Sequence, residues 1–312
     1  MTNSKILVSG SAGYLGTILI PKLIQDGYQV SCLDRFSNGV KNFTKIVGPN
    51  VKILKSDIRE IDTSFLKNID CVIDLSAQRK SNFGSKIIDT FDVNVKGRTK
   101  LAKFSKKAYV KNYIRISGTS VYGQQSGMLD EKSDTFPTSD YSKANLSAEK
   151  EVMRLNDDKF NVTCLRLPSV FGYSPRMRWD QAVNAMTLSA FHTNKIEVKG
   201  RDHRRPFLHI LDFVNACKII LKSDDTKISG ELFNVGSNDI NYNMESLANE
   251  ISKNIDKKIE IKLNDSKDIE SHAVSFGKIK RVLEFETQYK IGFGVKEIYE
   301  SLKSGLLEIP KK

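Results

Sequence analysis

Short hydrophobic runs alternate with longer amphipathic stretches through the first half of the chain. Six runs have the length and the β-branched content that are typical of buried strands: KILVSG, YQVSCLDR, VKILKSD, DCVIDLSA, YVKNYIRISG and FNVTCLRLP. Between them, stretches such as YLGTILIPKLIQDG carry apolar residues at helical spacing. This alternation predicts an α/β fold with a doubly wound parallel sheet. The final third of the chain is more polar and predicts shorter, less regular elements.

A glycine-rich turn, GSAGYLG, joins the first predicted strand to the first predicted helix. Gly10, Gly13 and Gly16 permit a tight turn, a close approach of the backbone to a pyrophosphate, and close packing of the helix on the strand. The N-terminus of the helix then faces the phosphate charge. We expect Tyr14 and Leu15 to line the same site. The turn therefore predicts a Rossmann-type dinucleotide-binding domain.

Acidic residues follow the second and third predicted strands. Asp34 can accept hydrogen bonds from both ribose hydroxyls of an adenosine and repels a 2′-phosphate, which favours NAD over NADP as the cofactor. Arg35, its neighbour, is placed in the same cofactor site. Asp57, which Ile58 follows, either contacts the adenine or caps a helix.

Several motifs together resemble those of the extended short-chain dehydrogenases/reductases that act on nucleotide sugars. Beside the glycine turn, the resemblance rests on LD, SDI, DLSA, VNVKG, ISGTSVYG, YSKANLSAE, LRLPSVFGYSPRMR and RPFLHILD. It implies NAD as the cofactor and a nucleotide-diphosphate sugar as the substrate. In such enzymes a tyrosine takes the proton from a sugar hydroxyl while the nicotinamide takes hydride from the same carbon. A lysine four residues later binds the nicotinamide ribose and lowers the pKa of the tyrosine.

By this resemblance Tyr141 matches the catalytic base, and Asn145 stands at the position of the lysine. Lys143 is no substitute, because two residues along an ideal helix correspond to a rotation of about 200°. An asparagine can bind a ribose hydroxyl but has no charge to stabilise a tyrosinate. We therefore expect slower proton abstraction in a working but unusual oxidoreductase. The alternative is a catalytically lapsed NAD-binding regulatory protein of the same fold.

The third catalytic position, a serine or threonine in relatives, is occupied by Gly118. Ser117, Thr119 or Ser120 could deliver a hydroxyl instead. Family members that dehydrate sugars carry an acid pair where Thr119 and Ser120 stand, so dehydration is disfavoured. Members that epimerise and reduce use a cysteine at the position of Ser120, so that chemistry is disfavoured as well. Oxidation of the sugar at C4 is the reaction that is left. The protein would then be a 4-epimerase or a 4-dehydrogenase in surface polysaccharide biosynthesis, with a slight preference for the epimerase.

The loop SAQRKSNFGSK follows the strand that ends at Leu75 and is expected to lie over the nicotinamide and the sugar. Ser76 and Ala77 would let the backbone come near the cofactor. Residues 78–80 either contact the sugar or phosphate or lie in solvent.

Basic residues in the second half resemble contacts to the nucleotide diphosphate. Asn184 matches an asparagine whose amide meets the phosphates, and Arg205 matches an arginine that binds the diphosphate through its guanidinium fork. Arg176, Arg178 and Arg201 either bind phosphate or form ion pairs.

A further arginine position of the family is held here by Glu270 or Ser271, and His272 is a candidate replacement. His209 is expected to be a packed, hydrogen-bonded histidine. Trp179 is expected to pack in a core or between the lobes, with stacking on a base as the less favoured alternative.

The net charge of +12 raises nucleic-acid binding as an alternative. The Lys and Arg residues are spread along the chain and concentrate only in PRMRW and GRDHRRPF. Two short basic clusters suit a diphosphate better than a duplex and would steer anionic substrates. We therefore expect no nucleic-acid partner.

The four cysteines lie far apart and form no metal-binding spacing, which indicates buried thiols. No apolar run approaches the roughly 20 residues of a membrane span, and the N-terminus has no signal-peptide pattern. We expect a cytoplasmic protein with no metal and no membrane partner.

A chain of 312 residues suits one large α/β unit or two lobes. We expect residues 1–172 to form the NAD-binding domain, to which residues 206–222 return. Residues 173–205 and 223–312 would form a smaller α/β substrate lobe. The resemblance also implies a homodimer or larger homo-oligomer, paired through helices around 87–107 and 141–155.

Overall fold

The structure is a computed structural model that describes residues 4–78, 90–264 and 271–307. The strands are β1 (Lys5–Ser9), β2 (Gln29–Asp34), β3 (Lys52–Lys55), β4 (Cys71–Asp74), β5 (Asn112–Gly118), β6 (Met128–Leu129), β7 (Asn161–Leu167), β8 (Ser169–Phe171), β9 (Lys195–Lys199), β10 (Arg204–His209), β11 (Leu232–Asn234), β12 (Asn241–Asn243), β13 (Glu260–Asn264) and β14 (Ala273–Val274). The α-helices are α1 (Gly16–Gln25), α2 (Val40–Val47), α3 (Arg98–Lys107), α4 (Asp140–Met153), α5 (Ala182–Thr193), α6 (Ile210–Lys222), α7 (Asp225–Ile228), α8 (Met244–Lys253), α9 (Gly277–Leu283) and α10 (Ile291–Lys303). A π-helical turn, Asp92–Gly97, precedes α3.

The first of two compact units contains the described residues within 1–121, 137–166 and 218–233. Its centre is a seven-stranded sheet in the order β3-β2-β1-β4-β5-β7-β11. The pairs from β3 to β5 are parallel. The doubly wound fold that the strand-like runs predict is therefore confirmed. The strand order reverses between β1 and β4, which is where ligands bind in open α/β sheets.

One core cluster of this unit lies against α3 and α4. Leu7 and Val72 from the strands pack with Leu101 of α3 and Val152 of α4, and all four side chains are fully buried. Each such side chain stabilises the fold by about 1.5–3 kcal/mol relative to an exposed position. This packing fixes α4 on the sheet.

The second unit contains the described residues within 122–136, 167–217 and 234–312. It holds three small sheets, β12-β10-β8, β13-β9 and β14-β6. One core cluster of this unit draws on α5, α8 and α10, with Val183, Leu247 and Val295 fully buried. A separate substrate lobe remains a proposal about the role of this unit.

The boundaries of the two units differ from the predicted ones. Residues 223–233 were expected in the substrate lobe, yet 218–233 belong to the first unit and β11 is an edge strand of its sheet. Residues 206–217 were expected to return to the first unit, yet β10 pairs with β8 and β12 of the second. Backbone hydrogen bonds between strands decide to which unit a strand belongs. A strand of three residues has too little hydrophobic periodicity for its partner strand to be predicted from the sequence.

The four cysteines are free and buried, as predicted. Burial raises the pKa of the Cys32 thiol to about 12, with a smaller contribution from the charge of Asp34. Within the described ranges, no helix is long and apolar enough to span a membrane.

Candidate active site

The glycine turn brings the backbone of the first loop against the end of β4. Gly10 has a φ of +66°, and a Cβ atom there would lie 2.8 Å from the Leu75 carbonyl carbon. At Gly16 a Cβ atom would come within 2.2 Å of the Ser11 carbonyl oxygen. Leu15 is the N-cap residue of α1, so the helix N-terminus opens onto the turn and can hold an anion.

Asp34 is oriented by the same turn. Its Oδ2 accepts a hydrogen bond from the Ala12 amide at 3.1 Å, and its Oδ1 accepts one from the Phe36 amide at 2.9 Å. Each carboxylate oxygen has two lone pairs, so each can still accept a ribose hydroxyl.

A cavity of about 90 Å³ lies beside Asp34. It brings together seven of the fourteen residues predicted for the cofactor, and neither Tyr141 nor Asn145 is among its lining residues. Its lining consists of Gly10, Leu33, Asp34, Arg35, Ser56, Asp57, Ile58, Ser76, Ala77, Gln78 and Val93.

Asp57 is held by Arg59, which the sequence reading missed. Arg59 donates from its amide and its Nε to Oδ1 of Asp57, both at 2.9 Å, and from Nη2 to Oδ2 at 2.8 Å. These hydrogen bonds, together with the positive charges of Arg59 and Arg35, lower the pKa of the Asp57 carboxyl despite its partial burial. A turn and not a helix follows Asp57, so the helix-cap alternative is wrong. Only the spacing of an acid two residues before an arginine signals this pair.

The backbone of Gln78 is fixed by Asn94, a second residue that the sequence reading missed. Asn94 is fully buried in the π-helical turn, accepts from the Gln78 amide at 2.7 Å and donates to the Gln78 carbonyl at 2.8 Å. The Gln78 side chain accepts from Nη2 of Arg35 at 3.0 Å. This clamp sets the path of Ser76 and Ala77. Arg79 and Lys80 lie outside the described residues.

Helix α4 carries the predicted catalytic pair. Ser139 caps the helix by accepting from the Ser142 amide at 3.2 Å, and Tyr141 lies in the first turn, half-buried. Asn145, one turn later, is 1% exposed on the buried face, whereas Lys143 is exposed, as its predicted rotation requires.

Two of the buried polar side chains predicted for the catalytic site have no hydrogen-bond partner among the described residues. They are the carboxamide of Asn145, through both Oδ1 and Nδ2, and the hydroxyl of Ser117. A buried polar atom without a partner costs about 1–3 kcal/mol. These atoms therefore provide places for a bound polar group. Thr119 is also buried, in a 3-10 turn after β5.

Within the second unit, Asn184 and Arg178 have partners of their own. The Asn184 amide accepts from the Gly172 amide at 3.1 Å and donates to the Arg178 carbonyl at 3.0 Å. Arg178 makes a two-point ion pair with Asp180, at 3.0 Å from Nε and 2.5 Å from Nη2. Arg201 similarly lies 3.5 Å from Glu245. Of the two interpretations, ion pairing describes Arg178 and Arg201. The backbone amide of Arg176 donates to the Ser174 hydroxyl at 3.1 Å.

His272 is buried in the second unit close to Arg205. Burial, and next the charge of Arg205, lower the pKa of His272 to about 4. The imidazole is thus neutral at pH 7 in the free protein, and its role as a replacement for the phosphate-binding arginine stays a prediction. Ser271 accepts from the Arg204 amide through its hydroxyl at 3.0 Å. Glu270 lies outside the described residues.

His209 and Trp179 fill the packing roles expected of them. The Nε2 of His209 lies 2.9 Å from Oε1 of Glu297, and the ring contacts Phe171 and Phe293 edge-on. Trp179 is half-buried against a small apolar cluster. Neither is needed for a chemical step.

Comparison with known proteins identifies the class of this site. The model of the NAD dependent epimerase/dehydratase family matches residues 6–236. Human dTDP-D-glucose 4,6-dehydratase is 28% identical over 251 residues, 75% of this chain and 69% of that protein. UDP-glucose 4-epimerase of Bacillus subtilis (strain 168) is 22% identical over 313 residues, 91% of this chain and 92% of that one. The crystal structure of UDP-glucuronic acid 4-epimerase from Bacillus cereus, with UDP-glucuronic acid and NAD, covers 96% of this chain and 99% of its own, at 23% identity and a TM-score of 0.82.

Proposed function

Because the chain belongs to the NAD-dependent epimerase/dehydratase family, we propose that it oxidises a nucleotide-diphosphate sugar at C4, as a 4-epimerase or a 4-dehydrogenase. We further propose that it serves surface polysaccharide biosynthesis in the cytoplasm. One observation carries the reaction. Tyr141 stands in the first turn of α4, and one turn later the buried carboxamide of Asn145 has no hydrogen-bond partner among the described residues.

The residues of the first unit fit NAD. The turn at Gly10, Gly13 and Gly16 with the N-terminus of α1 would hold the pyrophosphate, and Asp34 would accept from the adenosine ribose. Asn145 would satisfy its carboxamide on hydroxyls of the second ribose. When bound, NAD supplies the two-electron acceptor for the carbon that is oxidised.

Tyr141 would take the proton from the C4 hydroxyl. A free phenol has a pKa near 10, so its ionised form needs stabilisation at neutral pH. The N-terminus of α4 contributes, because a helix carries about half a positive charge there. Ser117 and Thr119, buried at and just after the end of β5, would orient the hydroxyl or its carbon.

Thr119 and Ser120 favour this reaction over dehydration. Loss of water needs an acid to protonate the leaving hydroxyl, and neither side chain is such an acid near pH 7. This argument applies although a dehydratase is among the similar proteins. Nucleotide sugars are named with several relatives, and the diphosphate would meet Arg205, with Asn184 and Arg176 as further candidates in the second unit.

The Tyr141→Phe variant tests this proposal. Purified protein is supplied with NAD and a panel of UDP-, GDP- and dTDP-sugars, and reduced cofactor and sugar epimers are measured. Wild type should convert one or more of the sugars, and Tyr141→Phe should lose at least about a hundredfold in rate, as is typical for removal of a general base. Tyr109→Phe is the matched control, because that phenol is 88% exposed. Retained activity in Tyr141→Phe would exclude Tyr141 as the base.

A catalytically lapsed NAD-binding regulator is the second candidate, which Gly118 and Asn145 favour. Such a protein would bind NAD, turn over no sugar of the panel, and gain turnover in the Asn145→Lys variant. Turnover by wild type would exclude it.

A further inference from the structure

A row of buried charged side chains lies between the sheet and its covering helices. Asp74 at the end of β4, Arg98 at the start of α3 and Arg115 on β5 are at most 2% exposed. Asp74 and Arg115 are directly paired in the parallel register of β4 and β5. Burying three charges this deeply is costly unless they compensate one another.

Asp74 is compensated mainly by Arg98 and more weakly by the more distant Arg115. Its Oδ2 accepts from Nε of Arg98 at 2.6 Å, and its Oδ1 accepts from the Ser9 hydroxyl at 2.7 Å and the Ser76 amide at 3.2 Å. Nη1 of Arg115 stands 3.9 Å from the same Oδ2. Arg98 is therefore the direct partner of this carboxylate.

Arg115 instead bonds to backbone carbonyls and reaches α4. Its Nη1 donates to the Ile116 carbonyl at 2.5 Å, and its Nη2 lies 3.5 Å from the carbonyl oxygen of Asn145. Its Nε has no hydrogen-bond partner among the described residues. The guanidinium thus contacts the residue at which the expected lysine is missing.

The remaining ionisable groups of this layer leave its charge positive. Glu149 on α4 and Arg166 on β7 form a two-point pair at 3.1 and 2.5 Å and cancel each other. Burial raises the pKa values of Tyr113 and Cys164, so both are neutral. Arg98 and Arg115 share the single carboxylate of Asp74, so one positive charge is in excess, and Arg115 is the more distant of the two arginines from that carboxylate. The charged groups of the first turn of α4, Asp140 and Lys143, are exposed.

We infer that Arg115 supplies, from the strand beneath α4, the positive charge that stabilises the phenolate of Tyr141 in the absence of a lysine at position 145. This rests on the proposed function of Tyr141 as the base. Arg115 is a positioning residue, because its field acts through the helix. Tyr141 and Asn145 are one helical turn apart, about 6 Å. At a separation of about 10 Å and an effective dielectric constant near 20, one charge shifts a pKa by on the order of one unit.

The test measures the phenol directly and needs no turnover. Ultraviolet difference titration of the full chain against its Tyr141→Phe counterpart, with NAD present, isolates the ionisation of Tyr141. In an Arg115→Gln background, which keeps amide donors for the two carbonyls, the pKa of Tyr141 should rise by about one unit. Adding Asn145→Lys to Arg115→Gln should restore it. An unchanged pKa in Arg115→Gln would overturn the inference.

The control is the double variant Glu149→Gln, Arg166→Gln, which removes a neighbouring buried pair without changing the net charge. It should lose stability and leave the pKa of Tyr141 in place, and a rise equal to that of Arg115→Gln would assign the effect to structure alone.

Should Arg115→Gln not fold, Asp74→Asn adds to the positive excess and should lower the same pKa, and an unmoved pKa there overturns the inference. Turnover of sugars with an unmoved titration refutes the role of Arg115 only. A shifted titration without any turnover refutes the proposed reaction only.

Discussion

At the scale of single residues, Asp34 is the cofactor contact whose energy can be isolated most simply. Its carboxylate is oriented by two backbone amides, so replacing it removes acceptors without moving a helix. A hydrogen bond to a charged group contributes about 1.5–3 kcal/mol. The Asp34→Ala variant should therefore bind NAD roughly ten- to a hundredfold more weakly, and its preference over NADP should shrink because the repulsive charge is gone.

Isothermal titration of NAD and NADP measures both effects. Asp62→Ala is the control, because that carboxylate is exposed and caps a 3-10 turn by accepting from the Ser64 amide at 2.7 Å. NAD affinity equal to wild type in Asp34→Ala would contradict the placement of the adenosine ribose.

The positions of residues could be predicted where the sequence itself specifies the local structure. Gly10 and Asp34 could be placed because a turn and a strand end define their surroundings. Asn94 and Arg115 could not, because their partners are backbone atoms distant in sequence, whereas Arg59 was missed although Asp57, its partner, is only two residues away. A pairing between Asn94 and the Gln78 backbone depends on a π-helical turn that no periodicity reveals.

At the scale of elements, a single substitution can disturb the close packing of α1 on the glycine turn. In Gly16→Ala the new methyl group would lie 2.2 Å from the Ser11 carbonyl oxygen, and the backbone must move to relieve the overlap. Overpacking of this kind costs about 1–3 kcal/mol, and it displaces the helix N-terminus that would face the pyrophosphate.

Thermal unfolding with and without NAD measures the effect of Gly16→Ala. The melting temperature of the free protein should fall, and the stabilisation by NAD should be lost. Gly277→Ala is the matched control, since its methyl group meets only the Ser275 hydroxyl at 3.7 Å. Full NAD stabilisation in Gly16→Ala would argue against pyrophosphate binding at this turn.

The strands of the large sheet show why the fold was more predictable than its boundaries. The six hydrophobic runs that contain β1 to β5 and β7 were recognisable in the sequence, and all of them lie in the sheet. β11 has three residues and no hydrophobic period, yet it occupies the sheet edge. Its position follows from backbone hydrogen bonds such as that from the Cys164 amide to the Glu231 carbonyl at 2.8 Å, which composition does not encode.

At the scale of the whole molecule, His272 couples stability to pH. Its pKa is about 4 in the folded chain and near 6.5 in an unfolded one. Between these values the unfolded chain binds the extra proton, so the free energy of unfolding falls as the pH falls from about 6.5 towards 4. Above pH 6.5 the group is neutral in both states and has no effect.

Chemical denaturation at a series of pH values checks this linkage. As the pH falls from 6.5 to 4, the free energy of unfolding of His272→Gln should decrease by up to about 3 kcal/mol less than that of wild type. The reason is that position 272 gains no proton in the unfolded variant. His192→Gln is the control, since His192 lies near the exposed end of α5. Identical pH profiles for wild type and His272→Gln would contradict a buried neutral imidazole.

The expected homodimer or larger assembly is a separate prediction about the whole molecule.

Isotope transfer can show whether the sugar is oxidised at C4 with the hydrogen of that carbon passing to the cofactor, as we propose. A nucleotide sugar of the productive type, deuterated at C4, is mixed with NAD and excess protein, quenched within one turnover, and the cofactor is analysed by mass spectrometry. We expect deuterium in the reduced cofactor from the C4-labelled sugar and none from the same sugar labelled at C3. Deuterium in the cofactor from the C3-labelled sugar would contradict hydride transfer from C4. Loss of the C4 deuterium to solvent while the cofactor stays unlabelled would contradict it as well.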